Sequence, residues 1–151
     1  SGPFQKSHLD FFRKMQSVSF VIDGSQGNPE SFISDINMVP NATSLKFIRC
    51  ENGIPQNIAI MGNLKEIDLS QAGIMNLEET LMKLRDVHTL KKLVLSSMNF
   101  NVPNPSLAGL STLSVIEIKK SEMDIHLSQG MNRDNIYMLS DLLPKTRIIV
   151  D

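Results

Sequence analysis

The stretch LKEIDLSQAGI, residues 64–74, is written twice more in this chain, as LKKLVLSSMNF at 90–100 and LSVIEIKKSEM at 113–123. In each copy an apolar residue opens the segment, and a second follows three positions on. A third comes two later, and a fourth five after that. The first copy supplies Leu64, Ile67, Leu69 and Ile74; the second Leu90, Leu93, Leu95 and Phe100; the third Leu113, Ile116, Ile118 and Met123. The two-residue step is strand alternation, which sends both side chains to one face. A single strand of this kind cannot bury its apolar face alone. Copies stacked side by side can.

The Leu-x-x-Leu-x-Leu core resembles the leucine-rich repeat family. Weaker copies extend the resemblance over most of the chain: Leu45, Ile48 and Cys50 in LKFIRC, and Met15, Val18 and Phe20 in MQSVSF. TRIIVD, at the C-terminal end, reads as a last strand with Ile148 and Val150 inward. Members of the family often carry Asn or Cys three positions after the last core Leu. Here those positions hold Asp23, Gly53, Ala72, Met98 and Ser121, so an irregular turn is expected after each strand.

At 151 residues the chain has the size of one domain, and 41% hydrophobic residues suffice for a core. Nine methionines against no tryptophan suggest flexible filling of an imperfectly regular interior. The opening Ser-Gly-Pro reads as a cleavage scar, leaving 4–151 as one domain excised from a larger protein. A net charge of -1 gives no support for nucleic-acid binding, and no apolar run is long enough to span a membrane. Cys50 is the single cysteine, so disulfide-closed ends are impossible and a reducing, cytoplasmic setting is expected. Its inward position gives it the role of a small buried apolar residue. Asn41-Ala42-Thr43 is a formal glycosylation sequon, read as chance in that setting.

Taken in order, residues 7–14 predict a helix, with Ser7 at its start and Leu9, Phe11 and Phe12 as its apolar face. A strand over 16–22 follows. Asn28 and Pro29 open a second helix carrying Phe32, Ile33 and Ile36, which Pro40 stops. The second strand is placed at 45–51, which makes its repeat 19 residues long. Gly53 and Pro55 leave an extended or 3₁₀ segment near 58–61. Strands at 65–70 and 91–96 flank a helix with Leu77, Leu81, Leu84 and Val87 inward, and Glu78 and Glu79 suit its first turn. Pro103 and Pro105 make a loop, and Leu107 and Leu110 lead to the fifth strand at Leu113. A last helix spans 132–143, with Ile136, Leu139 and Leu142 or Leu143 inward, and Pro144 ends it.

The fold expected is therefore an α/β leucine-rich repeat solenoid, a short curved parallel sheet with irregular convex helices and loops. The helical repeats resemble the intracellular, ribonuclease-inhibitor-like branch of the family, as in Nod-like receptors and F-box proteins.

No catalytic or metal-binding constellation stands out. His8, His88 and His126 lie in separate segments without ligands at metal spacing, and there is neither a phosphate loop nor a nucleophile elbow. Asp124 and His126 are alternate residues with no nucleophile beside them. No cofactor and no enzyme activity are expected. What remains is a surface, the concave side of the strands. The expected columns are Ser17, Phe47, Glu66, Lys92 and Val115; Ser19, Arg49, Asp68, Val94 and Glu117; and Val21, Glu51, Ser70, Ser96 and Lys119. Arg49 beside Asp68 suggests an ion pair, and Phe47 an exposed aromatic anchor. These residues make protein–protein recognition the leading expectation, with another protein or another domain of the parent as partner. A structural or autoinhibitory domain is the alternative, and an enzyme a distant one.

Overall fold

Six strands pair in parallel, each with its neighbour in the chain, to give one open sheet of order β1 to β6. The computed structural model describes residues 6–74, 76–96, 105–119 and 133–151. The strands are β1 (Val18–Asp23), β2 (Ala42–Ile48), β3 (Glu66–Gln71), β4 (Lys92–Ser96), β5 (Val115–Lys119) and β6 (Arg147–Val150). Among the described residues, four α-helices accompany them: α1 (Lys6–Arg13), α2 (Pro29–Ile36), α3 (Leu77–Leu84) and α4 (Arg133–Leu142). Two 3₁₀ turns, Gln56–Ile60 and Pro105–Gly109, sit in other connections. Phe100, Met123, Asp124, His126 and the turn positions Met98 and Ser121 lie outside the described residues.

The helices begin where the residues dictate. The Asn28 side chain accepts from the Glu30 N–H at 3.0 Å, Pro29 occupies the first turn, and Ile33 and Ile36 are buried. In α3 the Asn76 side chain accepts from the Glu79 N–H at 3.1 Å, while Leu81 and Leu84 face the core. The segment after Pro55 is the 3₁₀ turn that the prolines and Gly53 predict, with Ile58 inward.

One core joins the sheet to this helical layer. Leu45, Ile67, Leu93 and Ile116 form one inward row across β2 to β5, each at 0% exposure. Ile33, Ile58, Leu81, Leu107 and Leu139 from the connections pack into the same cluster. Burying side chains of this size contributes roughly 1.5–3 kcal/mol each.

The three strong repeats have the register their spacing predicts, with Ile67 opposite Leu93 and Leu93 opposite Ile116. The two upstream repeats do not. Leu45 pairs with Ile67, so Phe47 falls on the row of Leu69 and is fully buried. The repeat opens at Ala42, and its length is 64 − 42 = 22 residues, where 19 was expected. Ile48, expected inward, lies on the opposite side of the strand and is only partly covered. Alternation alone allows either parity in LKFI. The larger aromatic burial decides it, and a one-residue slip would send Phe47 to solvent. In β1 the frame moves by two: Val18, Phe20 and Ile22 point inward, with Phe20 opposite Leu45. At the far end Ile148 and Val150 fall on the rows of Ile116 and Ile118, and Val150, on the outermost strand of the sheet, keeps 39% exposure.

A polar residue precedes the opening positions Ala42, Leu64, Leu90 and Leu113 and ties each of these repeats to the one before, and Thr146, just before β6, does the same. Thr112 Oγ1 donates to the Leu90 carbonyl at 2.8 Å and Thr146 Oγ1 to that of Leu113 at 3.0 Å, while Thr89 Oγ1 donates to that of Leu64. Asn63 Nδ2 reaches the Pro40 carbonyl at 2.6 Å, and Asn41 Nδ2 those of Phe12 and Met15. This ladder stands at the strand starts and not at the turns that follow the strands. On the helical side, Asn57 Nδ2 donates to the Glu30 carbonyl at 3.0 Å, and Lys83 Nζ to that of Ile54 at 2.9 Å.

Candidate functional site

The face of the sheet turned away from the helices carries three rows of side chains. The register places Ser19, Ser44, Glu66, Lys92, Val115 and Arg147 in the first. The second holds Val21, Lys46, Asp68, Val94, Glu117 and Ile149. Ser96 and Lys119 pair in the third. Parallel strands stand about 4.8 Å apart, so neighbours in a row touch.

Glu66, Lys92, Asp68, Val94 and Glu117 are thus brought together in the two middle rows. Lys92 Nζ lies 3.1 Å from Glu117 and 3.7 Å from Glu66, bridging the strands on either side of its own. Lys119 Nζ reaches Asp68 at 4.0 Å, across the strand that carries Val94. Val94 is buried beneath this lattice at 1% exposure, so it is a floor and not a contact residue. Asp68 is also held by Ser70, whose N–H donates to it at 2.9 Å and whose hydroxyl does so at 2.6 Å. The Lys92 ammonium is held protonated above its usual range, by Glu117 foremost and then by Glu66, against the opposing effect of its own desolvation. Each partly exposed pair contributes at most about 1 kcal/mol, so the lattice fixes side-chain positions more than it stabilises the fold.

Three expected members of the surface are elsewhere. Phe47 is in the core, for the register reason given above, and offers no anchor. Arg49 lies past the end of β2 with φ at 51°, a left-handed backbone that breaks the strand and swings the side chain away from the rows. It pairs with Asp23, not Asp68: Nε donates to Oδ1 at 2.9 Å and Nη2 contacts Oδ2. Glu51 is in the following turn, exposed, and outside the rows. Lys46, Ser44 and Ile149 take row positions that spacing alone assigned differently or left unassigned. The signal that would have found Ser44 and Lys46 is Ala42, too small to be recognised as an opening residue; Ile149 follows from Ile148 and Val150 facing inward.

The Arg49–Asp23 pair closes one end of the face. Arg49 foremost, then the Ser25 N–H and hydroxyl, hold the Asp23 carboxyl well below the usual carboxylate range, against a desolvation effect that raises it. The turns beneath it are close-packed. The Gly24 N–H donates to the Ile48 carbonyl at 2.9 Å, and a Cβ on Gly24 would collide with the Arg49 carbonyl. Cys50 is buried, and burial pushes its thiol up, away from nucleophilic chemistry. A depression of about 210 Å³ between the turns is lined by Asn28, Glu30, Arg49, Cys50 and Glu51.

Because Asp23 titrates lower in the folded chain than unfolded, the pair's contribution is complete above its unfolded value near 4. It is lost as pH falls toward the folded one. Arg49→Ala should therefore melt at a lower temperature than the parent at neutral pH, with the gap narrowing steadily below about pH 4. Thermal melts followed by circular dichroism check this, and an equal gap at about pH 2.5 and pH 7 would remove the charge from the explanation.

Among the described residues no three His, Cys, Asp or Glu side chains gather as a metal site; His8 and His88 are exposed and far apart in the chain. Nor is any helix among them long and apolar enough to cross a membrane. A scan against models of protein families finds no match to this chain, and a search of curated proteins finds none either.

Proposed function

We propose that the chain is a leucine-rich repeat solenoid of the intracellular, ribonuclease-inhibitor-like kind, and that it serves as a protein-recognition module of a larger cytoplasmic protein. The sheet in chain order, the helical layer on its other face and the threonine ladder all favour a repeat architecture. With the frame moved to Ala42, Leu45 and Phe47, Cys50 falls three positions after the last core residue, where the resemblance places Asn or Cys. The observation that carries the recognition reading is the charged lattice of Glu66, Asp68, Lys92, Glu117 and Lys119, fixed on regular strands. Its mixed signs suit a partner surface of mixed charge, and with Phe47 in the core the affinity is electrostatic and modest. The second reading, a structural or autoinhibitory domain packing against its parent, uses the same face. Cross-linking in the full-length parent separates the two.

Pull-down from cell extract is the test. Lys46→Ala/Lys92→Ala should reduce capture about tenfold, equivalent to roughly 1.4 kcal/mol shared by two contacts. Glu78→Ala/Met82→Ala, on the exposed side of α3, should leave it unchanged. The reverse pattern in two folded proteins would remove the strand face from consideration.

A further inference from the structure

Two turns of this chain set an acid or an amide directly before glycine: Asp23-Gly24 at the end of β1 and Asn52-Gly53 after β2. Such a dyad can close on itself. The glycine nitrogen attacks the side-chain carbonyl carbon, and glycine has no Cβ to crowd the approach. The surroundings of the two dyads differ.

At Asp23 both carboxylate oxygens are engaged. Arg49 Nε donates to Oδ1 at 2.9 Å and Nη2 contacts Oδ2, while Ser25 donates its N–H to Oδ1 at 2.9 Å and its hydroxyl at 2.8 Å. Arg49 foremost keeps this group ionised, and a carboxylate anion is a poor target for a nucleophile. The Gly24 N–H is bonded to the Ile48 carbonyl at 2.9 Å. Its backbone has no room to turn, since even a Cβ there would collide with the Arg49 carbonyl.

Asn52 is open by comparison. It is exposed, and its amide has no hydrogen-bond partner among the described residues. Gly53 has φ at 101°, where glycine rests without strain. A Cβ at that position would meet nothing nearer than Thr80 and Lys83 at 3.7 Å, so the turn has space to rearrange. The bond from the Gly53 N–H to the Cys50 carbonyl, at 3.0 Å, closes the turn, and a surface bond of this kind opens locally. Other asparagines have their amides in use. Asn28 and Asn76 cap helices, and Asn41, Asn57 and Asn63 hold carbonyls of neighbouring repeats. None of these five precedes a glycine.

We infer that Asn52 is a site of spontaneous deamidation, in which water replaces ammonia by way of a cyclic imide formed with the Gly53 nitrogen, and that Asp23-Gly24 is spared. The Gly53 nitrogen gives its proton to hydroxide or a buffer base and bonds to Asn52 Cγ. The Cγ–Nδ2 bond then breaks, and ammonia leaves with a proton supplied by solvent. Water opens the imide. Attack at Cγ gives aspartate, and attack at the main-chain carbonyl gives isoaspartate, whose backbone runs through Cβ. Nothing is oxidised or reduced. Either product adds one negative charge to a net charge of -1. The new carboxylate arises on the rim shared by two depressions, the one beside Arg49 and another of about 220 Å³ lined by Glu51, Asn76, Glu79 and Thr80. This end of the sheet therefore becomes more acidic as the protein ages. The inference is independent of the recognition reading, since it uses a turn and not the strand face.

Isoelectric focusing of the purified chain, incubated at physiological temperature in neutral and in mildly alkaline buffer, provides the test. An acidic species should accumulate, and faster at the higher pH, because the attacking nitrogen must lose its proton. Peptide mapping by mass spectrometry should place the exchange of NH2 for OH at Asn52, with isoaspartate among the products. Asn52→Gln, whose longer side chain closes a ring far more slowly, should form no acidic species over the same period. Circular dichroism melts establish that this variant folds. In urea, where the Arg49 pair and the sheet are lost, isoaspartate should appear at Asp23 as well. Three results would overturn the inference: a folded chain that stays unmodified while the urea-unfolded chain reacts at Asn52, which would mean that the Cys50–Gly53 bond locks the turn; an exchange that maps to a different asparagine; or isoaspartate forming at Asp23 of the folded chain as fast as at Asn52.

Discussion

Phe47→Ala is expected to destabilise the protein by about 3–5 kcal/mol, the largest effect of any single truncation in the sheet. The ring is fully buried in β2, in one row with Ile22 on the strand to one side and Leu69 on the strand to the other. Removing it takes away apolar contact on both flanks and leaves a cavity that strands fixed by their ladders can only partly close. The neighbouring substitution supplies the control. Ile48→Ala alters the opposite side of the same strand and should cost no more than about 1 kcal/mol. Urea unfolding of the two variants decides the register of β2. If Ile48→Ala proves the more damaging, the strand is threaded with the other parity.

Leu95→Ala should cost about 2–5 kcal/mol. Leu95 is fully buried near the middle of the sheet, opposite Ile118, with paired strands on both sides of β4. Val150→Ala, at the half-open edge, should cost about 1 kcal/mol or less, since its side chain already reaches solvent. Denaturant midpoints measure the contrast. A loss below about 0.5 kcal/mol at Leu95 would mean that the central register is wrong.

The central repeats were legible because their inward residues are large aliphatics at every position. Leu64, Ile67 and Leu69 admit one frame. Upstream the opening residue is Ala42, and the run 45–48 offers apolar side chains at Leu45, Phe47 and Ile48. Two parities then satisfy the same pattern, and only pairing with β3 separates them. The error reached the candidate surface, since a three-residue shift of frame in β2 reverses its parity, which moved Phe47 from the core to the face and brought Arg49 into a row. Glu66, Lys92 and Glu117 take the row positions that spacing assigns them for the converse reason: their strands have only one frame. The threonine ladder was visible but unread. A polar residue stands before four opening positions, at Asn41, Asn63, Thr89 and Thr112, and another just before β6 at Thr146, yet hydrogen bonding to a carbonyl some 22 to 33 residues away has no local signature.

The order of the sheet has a mechanical consequence. Its first and last strands occupy opposite edges, so a pull applied between the two ends of the chain does not shear the whole sheet at once. It peels a terminal strand from its single neighbour, then the next. Each step breaks one ladder and, at each of the five junctions, the Thr or Asn side-chain bond to a carbonyl of the adjoining repeat. A repeat of 22 residues releases about 75 Å of extended chain when it goes. Such a molecule yields under tension in small increments at low force, lengthening in steps where a sheet with adjacent termini would hold and then fail.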